Sequence, residues 1–92
     1  MSEIDILALV ERRLAAIEKT RPAAGAYRDH AGWTAYYAAG RTLLDDLERD
    51  HGAKVRRGEP KWMKLAGISC SCTSGELALV RSWATKARRA QA

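Results

Sequence analysis

The sequence predicts an all-α protein, a small bundle of three main helices and one short helix, with residues 1–92 forming a single domain. Three observations lead there. Apolar residues recur at steps of three and four in three separate segments, the spacing that gathers them on one face of a helix. Helix-stop signals at Pro22, Gly52 and Gly67 fall between those segments. No segment alternates apolar and polar residues between turn residues on both sides, as a β-hairpin would. With 92 residues, 47% apolar and 29% charged, the chain has the composition of a folded domain with a modest core.

The first helix runs from about Ser2 to Lys19, with Ser2 and Asp5 as a loose capping box. Leu7, Val10, Leu14 and Ile17 form its stripe, and Thr20-Arg21-Pro22 ends it, because the residue before proline is pushed out of the helical region. Ala23 to Gly32 is a connector. Pro22 can open a short helical turn there through Ala26, Tyr27 and Arg28, while Gly25 and Gly32 oppose anything longer. The second helix runs from about Gly32 to Asp50, with Trp33, Tyr36, Tyr37, Gly40, Leu43, Leu44 and Leu47 on its apolar face. Gly40 costs that helix about 1 kcal/mol relative to alanine. A close crossing by another helix is the physical reason to expect a glycine there. His51-Gly52 reads as its C-terminal stop.

Ala53 to Pro60 reads as a basic loop. Pro60 then starts a short third helix carrying Trp62, Met63, Leu65 and Ala66, closed by Gly67. Ser69 to Thr73 is a run of poor helix formers and reads as an extended turn. The last helix begins at Thr73 or Ser74, with Thr73 and Glu76 as a capping box. Leu77, Val80, Trp83, Ala84 and Ala87 make its stripe, and Lys86, Arg88 and Arg89 suit the negative end of its dipole.

Charge is unevenly distributed. Residues 1–50 hold 7 Lys/Arg against 9 Asp/Glu, a net of −2, and residues 51–92 hold 9 against 2, a net of +7. A basic C-terminal half points to an acidic partner: nucleic acid, an anionic membrane or an acidic protein surface. Lys54, Arg56, Arg57, Lys61 and Lys64 cluster around Trp62 with Glu59 alone opposing them. Lysine and arginine neutralise phosphates, and an indole stacks on a base. Arg81 and Arg88 lie two turns apart on one flank of the last helix and, with Arg89, extend that surface. The competing reading makes Trp62 a core residue and the charges a solvated loop. The sequence leaves both open.

Enzyme chemistry is not indicated. The chain has no glycine-rich phosphate loop and no paired-histidine zinc motif. Ser69, Ser71, Thr73 and Ser74 lie far along the chain from both histidines, so turn formation and capping explain them better than nucleophilic catalysis. Cys70 and Cys72, spaced C-x-C, pair only with strain and form no disulfide framework. A zinc site would need two more ligands, and His30 and His51 lie at no ligand spacing. The expectation is therefore a cytoplasmic, non-enzymatic protein with neither metal nor cofactor. No apolar run reaches the roughly 18 residues of a membrane span, and Glu3 and Asp5 stand where an export signal carries basic residues.

Ala66-Gly67-Ile68-Ser69 resembles the turn of a helix-turn-helix, but Met63, Thr73 and Glu76 do not fit the positions around it, and Gly75 falls inside the would-be recognition helix. The same four residues, with Thr73-Ser74-Gly75 and Trp83 followed by a basic end, resemble the C-terminal part of small uncharacterised proteins from alphaproteobacterial prophages. That resemblance covers about the last 25 residues and implies a mobile-element origin. Small phage proteins of this size include DNA-binding accessories, packaging and virion components, and inhibitors of host defence such as anti-CRISPR proteins. The function expected is docking through the basic surface on nucleic acid or a nucleic-acid-handling complex, of which a host-defence inhibitor is one version. The alternative is a structural or assembly protein, a helical homo-oligomer packed through Trp33, Tyr36 and Tyr37.

Overall fold

The fold is α+β. A computed structural model describes residues 3–23, 25–26 and 28–91, with side chains from residue 5 onward. Its elements are α1 (Glu3–Glu18), α2 (His30–Asp50), β1 (Lys54–Arg56), β2 (Lys61–Leu65), β3 (Ile68–Cys72) and α3 (Glu76–Ala90). The three long helices match the apolar stripes. Ser2, read as a cap, and Tyr27, read in a helical turn, lie outside the described residues; the described residues between α1 and α2 form no helix. α2 begins at His30 rather than Gly32 because the Asp29 carboxylate accepts from the Gly32 N–H at 2.9 Å and caps the first turn. Gly52 ends the segment with φ +71°, in the left-handed region that glycine enters without strain.

The all-α expectation fails between residues 53 and 73. The basic loop contains β1, the short helix is β2, and the extended turn is β3, which together make an antiparallel meander in the order β1-β2-β3. The physical reason lies in the turn. Ala66 and Gly67 have φ of +53° and +79°, a two-residue hairpin connection of the kind whose twist matches the flanking strands. It sets Leu65 opposite Ile68 and Met63 opposite Cys70. Once the hairpin closes, alternate residues face alternate sides. Val55, Met63, Leu65, Ile68, Cys70 and Cys72 share the inner side, all buried or partly buried in the core. The capping box also does not form: Gly75, with φ +105°, is the N-cap of α3 and makes no side-chain cap bond.

α3 is the hub of the packing. It touches β2, β3, α1 and α2, and Leu77, Leu79, Val80, Trp83, Ala84 and Ala87 are buried along it. Trp83 is fully buried, and its Nε1–H donates to the carbonyls of Leu65 and Ile68 at 3.0 and 3.1 Å. The indole thus ties the helix to both ends of the hairpin turn. Against α2 the approach is closer still. A Cβ built on Gly40 would lie 2.5 Å from the Leu77 Cβ, so the glycine permits a crossing that alanine would block. At the end of α1, Glu18 accepts from the Tyr36 hydroxyl at 2.9 Å and from Arg81, which also donates to the Tyr36 hydroxyl. One carboxylate therefore links all three helices.

Candidate functional site

The meander sorts the basic segment by parity. Lys54 and Arg56 on β1 and Trp62 and Lys64 on β2 point to the outer face of the sheet, away from the core. Cross-strand register puts Lys54, Lys64 and Ser69 in one row and Arg56, Trp62 and Ser71 in the next. That face carries three cations, one indole and two hydroxyls, and no carboxylate. Trp62 is half-buried and belongs to no core cluster, so the core reading of this residue does not hold. Lys54 and Lys64 are direct cross-strand partners, a like-charge pairing that sheets disfavour.

The remaining basic residues divide by whether the fold already uses them. Arg57 reaches back to Asp45 and Glu48 on α2. Lys61 lies on the inner-side parity of β2 and binds Glu59 at 2.9 Å, a bond that raises its pKa. Arg81 is held by Glu18 and Tyr36, and Arg88 by Glu11, whose hydrogen bond raises the arginine's pKa. Among the described residues no ion pair engages Lys54, Arg56, Lys64 or Arg89. The nine residues singled out from sequence therefore fall into four ion-paired cations, four free ones, and Trp62.

Sequence reasoning missed Lys86 as a site residue. Its ammonium donates to the Ser69 carbonyl at 2.7 Å, which anchors it over the free edge of β3. Together with Ser69, Ser71, Thr85 and Arg89 it lines a concavity of about 690 Å³ that ends at Trp62. A second concavity, about 370 Å³, is lined by the same indole together with Arg56, Glu59, Pro60 and Ser71. The only sequence signal was the alternation of Ser69 and Ser71 with the cysteines, a weak mark of a strand; that β3 is an edge strand packed on α3 is visible in the structure alone.

Cys70 and Cys72 are free thiols on the inner parity of β3. Cys70 donates to the Leu79 carbonyl at 3.6 Å, and burial pushes its thiol up. Among the described residues no group of three or more His, Cys, Asp or Glu is placed to hold a metal ion. No described helix is long and apolar enough to cross a membrane. On α2, Tyr36 is buried and Trp33 is half-buried, its Nε1–H donating to the Ala26 carbonyl at 3.0 Å. Of the three aromatics offered as an interface between copies, Tyr37 alone is largely exposed, stacked on Trp33.

Comparison with protein-family models, with curated proteins and with solved structures finds no significant match to this chain. These comparisons neither confirm nor refute the resemblance of about the last 25 residues to prophage proteins.

Proposed function

We propose that this protein is a non-enzymatic nucleic-acid-binding module whose interface is the outer face of the meander. One observation carries the reading: Lys54, Arg56 and Lys64 surround a half-exposed indole on a sheet face that holds no carboxylate, and none of the three is neutralised within the fold. A solvated surface that serves only solubility gains nothing from cations set directly opposite one another, and that pairing weakens the sheet. A polyanion lying across the face would relieve the repulsion and release its own counterions. Arg57, Lys61, Arg81 and Arg88 are assigned to holding the fold, since each is committed to a carboxylate.

The test is fluorescence anisotropy of labelled oligonucleotides at stepped salt concentrations. Wild-type protein should bind with affinity that falls as salt rises. Arg56→Glu combined with Lys64→Glu should weaken binding and flatten the plot of log affinity against log salt by roughly 0.7–0.9 for each phosphate no longer neutralised. Arg88→Ala, which breaks the pair with Glu11, should leave the slope as it is. Binding that is absent at low salt, or unchanged in the double variant, refutes the interface.

A further inference from the structure

We infer that the nucleic acid is taken as a single strand, DNA or RNA, along a track that runs from Arg56 across Trp62 to Lys86 and Arg89. This rests on the reading of the outer sheet face as a nucleic-acid interface and names the form of ligand that face admits. The track follows from the two concavities. Both are lined by Trp62 and Ser71, so they meet at the indole and form one path over the β3 edge. Each lies in the ~300–1,000 Å³ range of sites that hold small organic ligands.

Cations with no carboxylate partner among the described residues stand at both ends of the path. Arg56 marks one end, with Lys54 and Lys64 one register step away on the same face. Lys86 and Arg89 mark the other end, on α3. The one carboxylate on the path, Glu59, is bound by Lys61. Between the ends lies the half-buried indole, flanked on the β3 side by Ser71, a small neighbour. Phosphates at both ends and a base over the middle is the order in which a single strand presents its parts.

A duplex does not present itself this way. Its bases are stacked on one another, and it offers only their edges within grooves. An indole set in a recess of a sheet has no base face to meet on a duplex. Duplex grooves are read by elements that project into them, a helix or a two-stranded ribbon. Here the basic face is the outer side of three strands, about 10 Å from first to last at ordinary strand spacing, with no described helix or ribbon projecting from it. Single strands leave their base faces free, and aromatic side chains on a basic surface bind them with little dependence on sequence.

The experiment compares one labelled oligonucleotide as single-stranded DNA, as single-stranded RNA and as a DNA duplex, with each variant checked for folding by circular dichroism and melting. Single strands should bind at least tenfold more tightly than the duplex. Trp62→Ala should weaken single-strand binding by about 5- to 150-fold, the loss expected for one stacked base, while Trp62→Phe retains most of it. Lys86→Glu with Arg89→Glu should lower the single-strand salt slope by roughly 0.7 for each phosphate that the pair neutralises in the wild type. A duplex bound as well as the single strand, with Trp62→Ala indifferent, overturns the single-strand inference while leaving the basic face an interface. No binding of any of the three overturns both. A Trp62→Ala variant that fails to fold still leaves Lys86→Glu with Arg89→Glu to decide, since unchanged binding there removes one end of the track.

Discussion

Replacing Gly40 with alanine sets two well-measured effects against each other, and the structure says which wins. Helix propensity alone favours alanine over a mid-helix glycine by about 1 kcal/mol. At this position, however, the new Cβ would sit 2.5 Å from the Leu77 Cβ and 2.9 Å from the Leu77 Cα. Carbon atoms rest at about 3.5–4.0 Å, so α2 and α3 must separate by roughly 1 Å. The Cα is backbone and cannot swing aside. A gap of that size forfeits a quarter to a half of the dispersion energy of the atoms lining it. Leu77, the residue the new Cβ meets, is itself buried in the core. Overpacking of this kind costs about 1–3 kcal/mol as a net effect, so Gly40→Ala should be destabilising in spite of its better propensity. For a domain of this size each kcal/mol lowers the melting temperature by about 4–8 °C. Urea unfolding followed by far-ultraviolet circular dichroism measures it. Gly58→Ala is the control, because nothing lies within 4 Å of its added Cβ and its φ is not positive; it should be neutral or slightly stabilising. A Gly40→Ala protein as stable as wild type, or more so, would refute the close crossing of α2 and α3.

Four further outcomes follow from the packing and the charges. Trp83→Phe leaves the Leu65 and Ile68 carbonyls without their indole donor and should cost about 1–3 kcal/mol in urea unfolding, with the hairpin amides losing protection from exchange first. Ala66→Asn places at the left-handed position a residue that tolerates it, and should raise stability by about 1 kcal/mol; a drop would mean that the turn is not as described. Lys64→Glu should stabilise the sheet by about 0.2–1 kcal/mol by turning a like-charge pair with Lys54 into an opposite one, while weakening nucleic-acid binding, so melting and anisotropy should move in opposite directions. The Tyr36 hydroxyl, aided by Arg21 and Arg81, holds the Glu18 carboxyl below its ordinary value of 4.5, so the carboxylate adds stability above that pH and loses it as the pH falls through the lower folded value. The gap in melting temperature between wild type and Glu18→Gln should therefore close on acidification below about pH 4.5; a gap constant down to pH 2 would show that the cluster is not electrostatic.

What was legible in the sequence is what repeats over many residues. α1, α2 and α3 each carry an apolar stripe of four or more residues at helical spacing, and their buried positions, Val10, Ile17, Leu43, Leu47, Val80 and Trp83 among them, sit where that spacing puts them. The strands are five residues at most, too short for a period of two to stand out. β2 also departs from simple alternation: Lys61 lies on the inner parity and Trp62 on the outer, so the strand reads polar-apolar-apolar-polar-apolar. β3 alternates cleanly as Ile-Ser-Cys-Ser-Cys, but serine and cysteine are weak markers of a buried and an exposed side. The turn between them is Ala-Gly rather than Asn-Gly, and an alanine with positive φ gives no advance notice. Trp83, donating to the carbonyls on both sides of that turn, adds a tertiary tie to α3 that local sequence also does not announce.

The misread element matters because secondary structure decides which side chains share a face. Read as a helix, residues 61–65 would bring Lys61 and Lys64 together one turn apart and turn Trp62 elsewhere. Read as a strand, the same residues separate Lys61 from Lys64 and set Trp62 beside Lys64, with Arg56 across from the indole and Lys54 across from the lysine. The composition of the site was therefore visible, and its geometry was not. That geometry changes which substitution tests the interface. Arg56 and Arg57 are adjacent in sequence and look equivalent, yet Arg56 ends β1 on the open sheet face, and Arg57, just past the strand, is bound to Asp45 and Glu48. Replacing both with glutamate would mix weaker phosphate binding with a repulsion against α2. Separated, the two variants should diverge. Arg56→Glu should lower binding without moving the melting temperature by more than the change of about 0.5 kcal/mol or less typical of surface sites. Arg57→Glu should lower the melting temperature while the salt slope stays as it is. Equal effects of the two on binding would mean that the basic segment acts as a disordered cluster of charge rather than as a strand with a face.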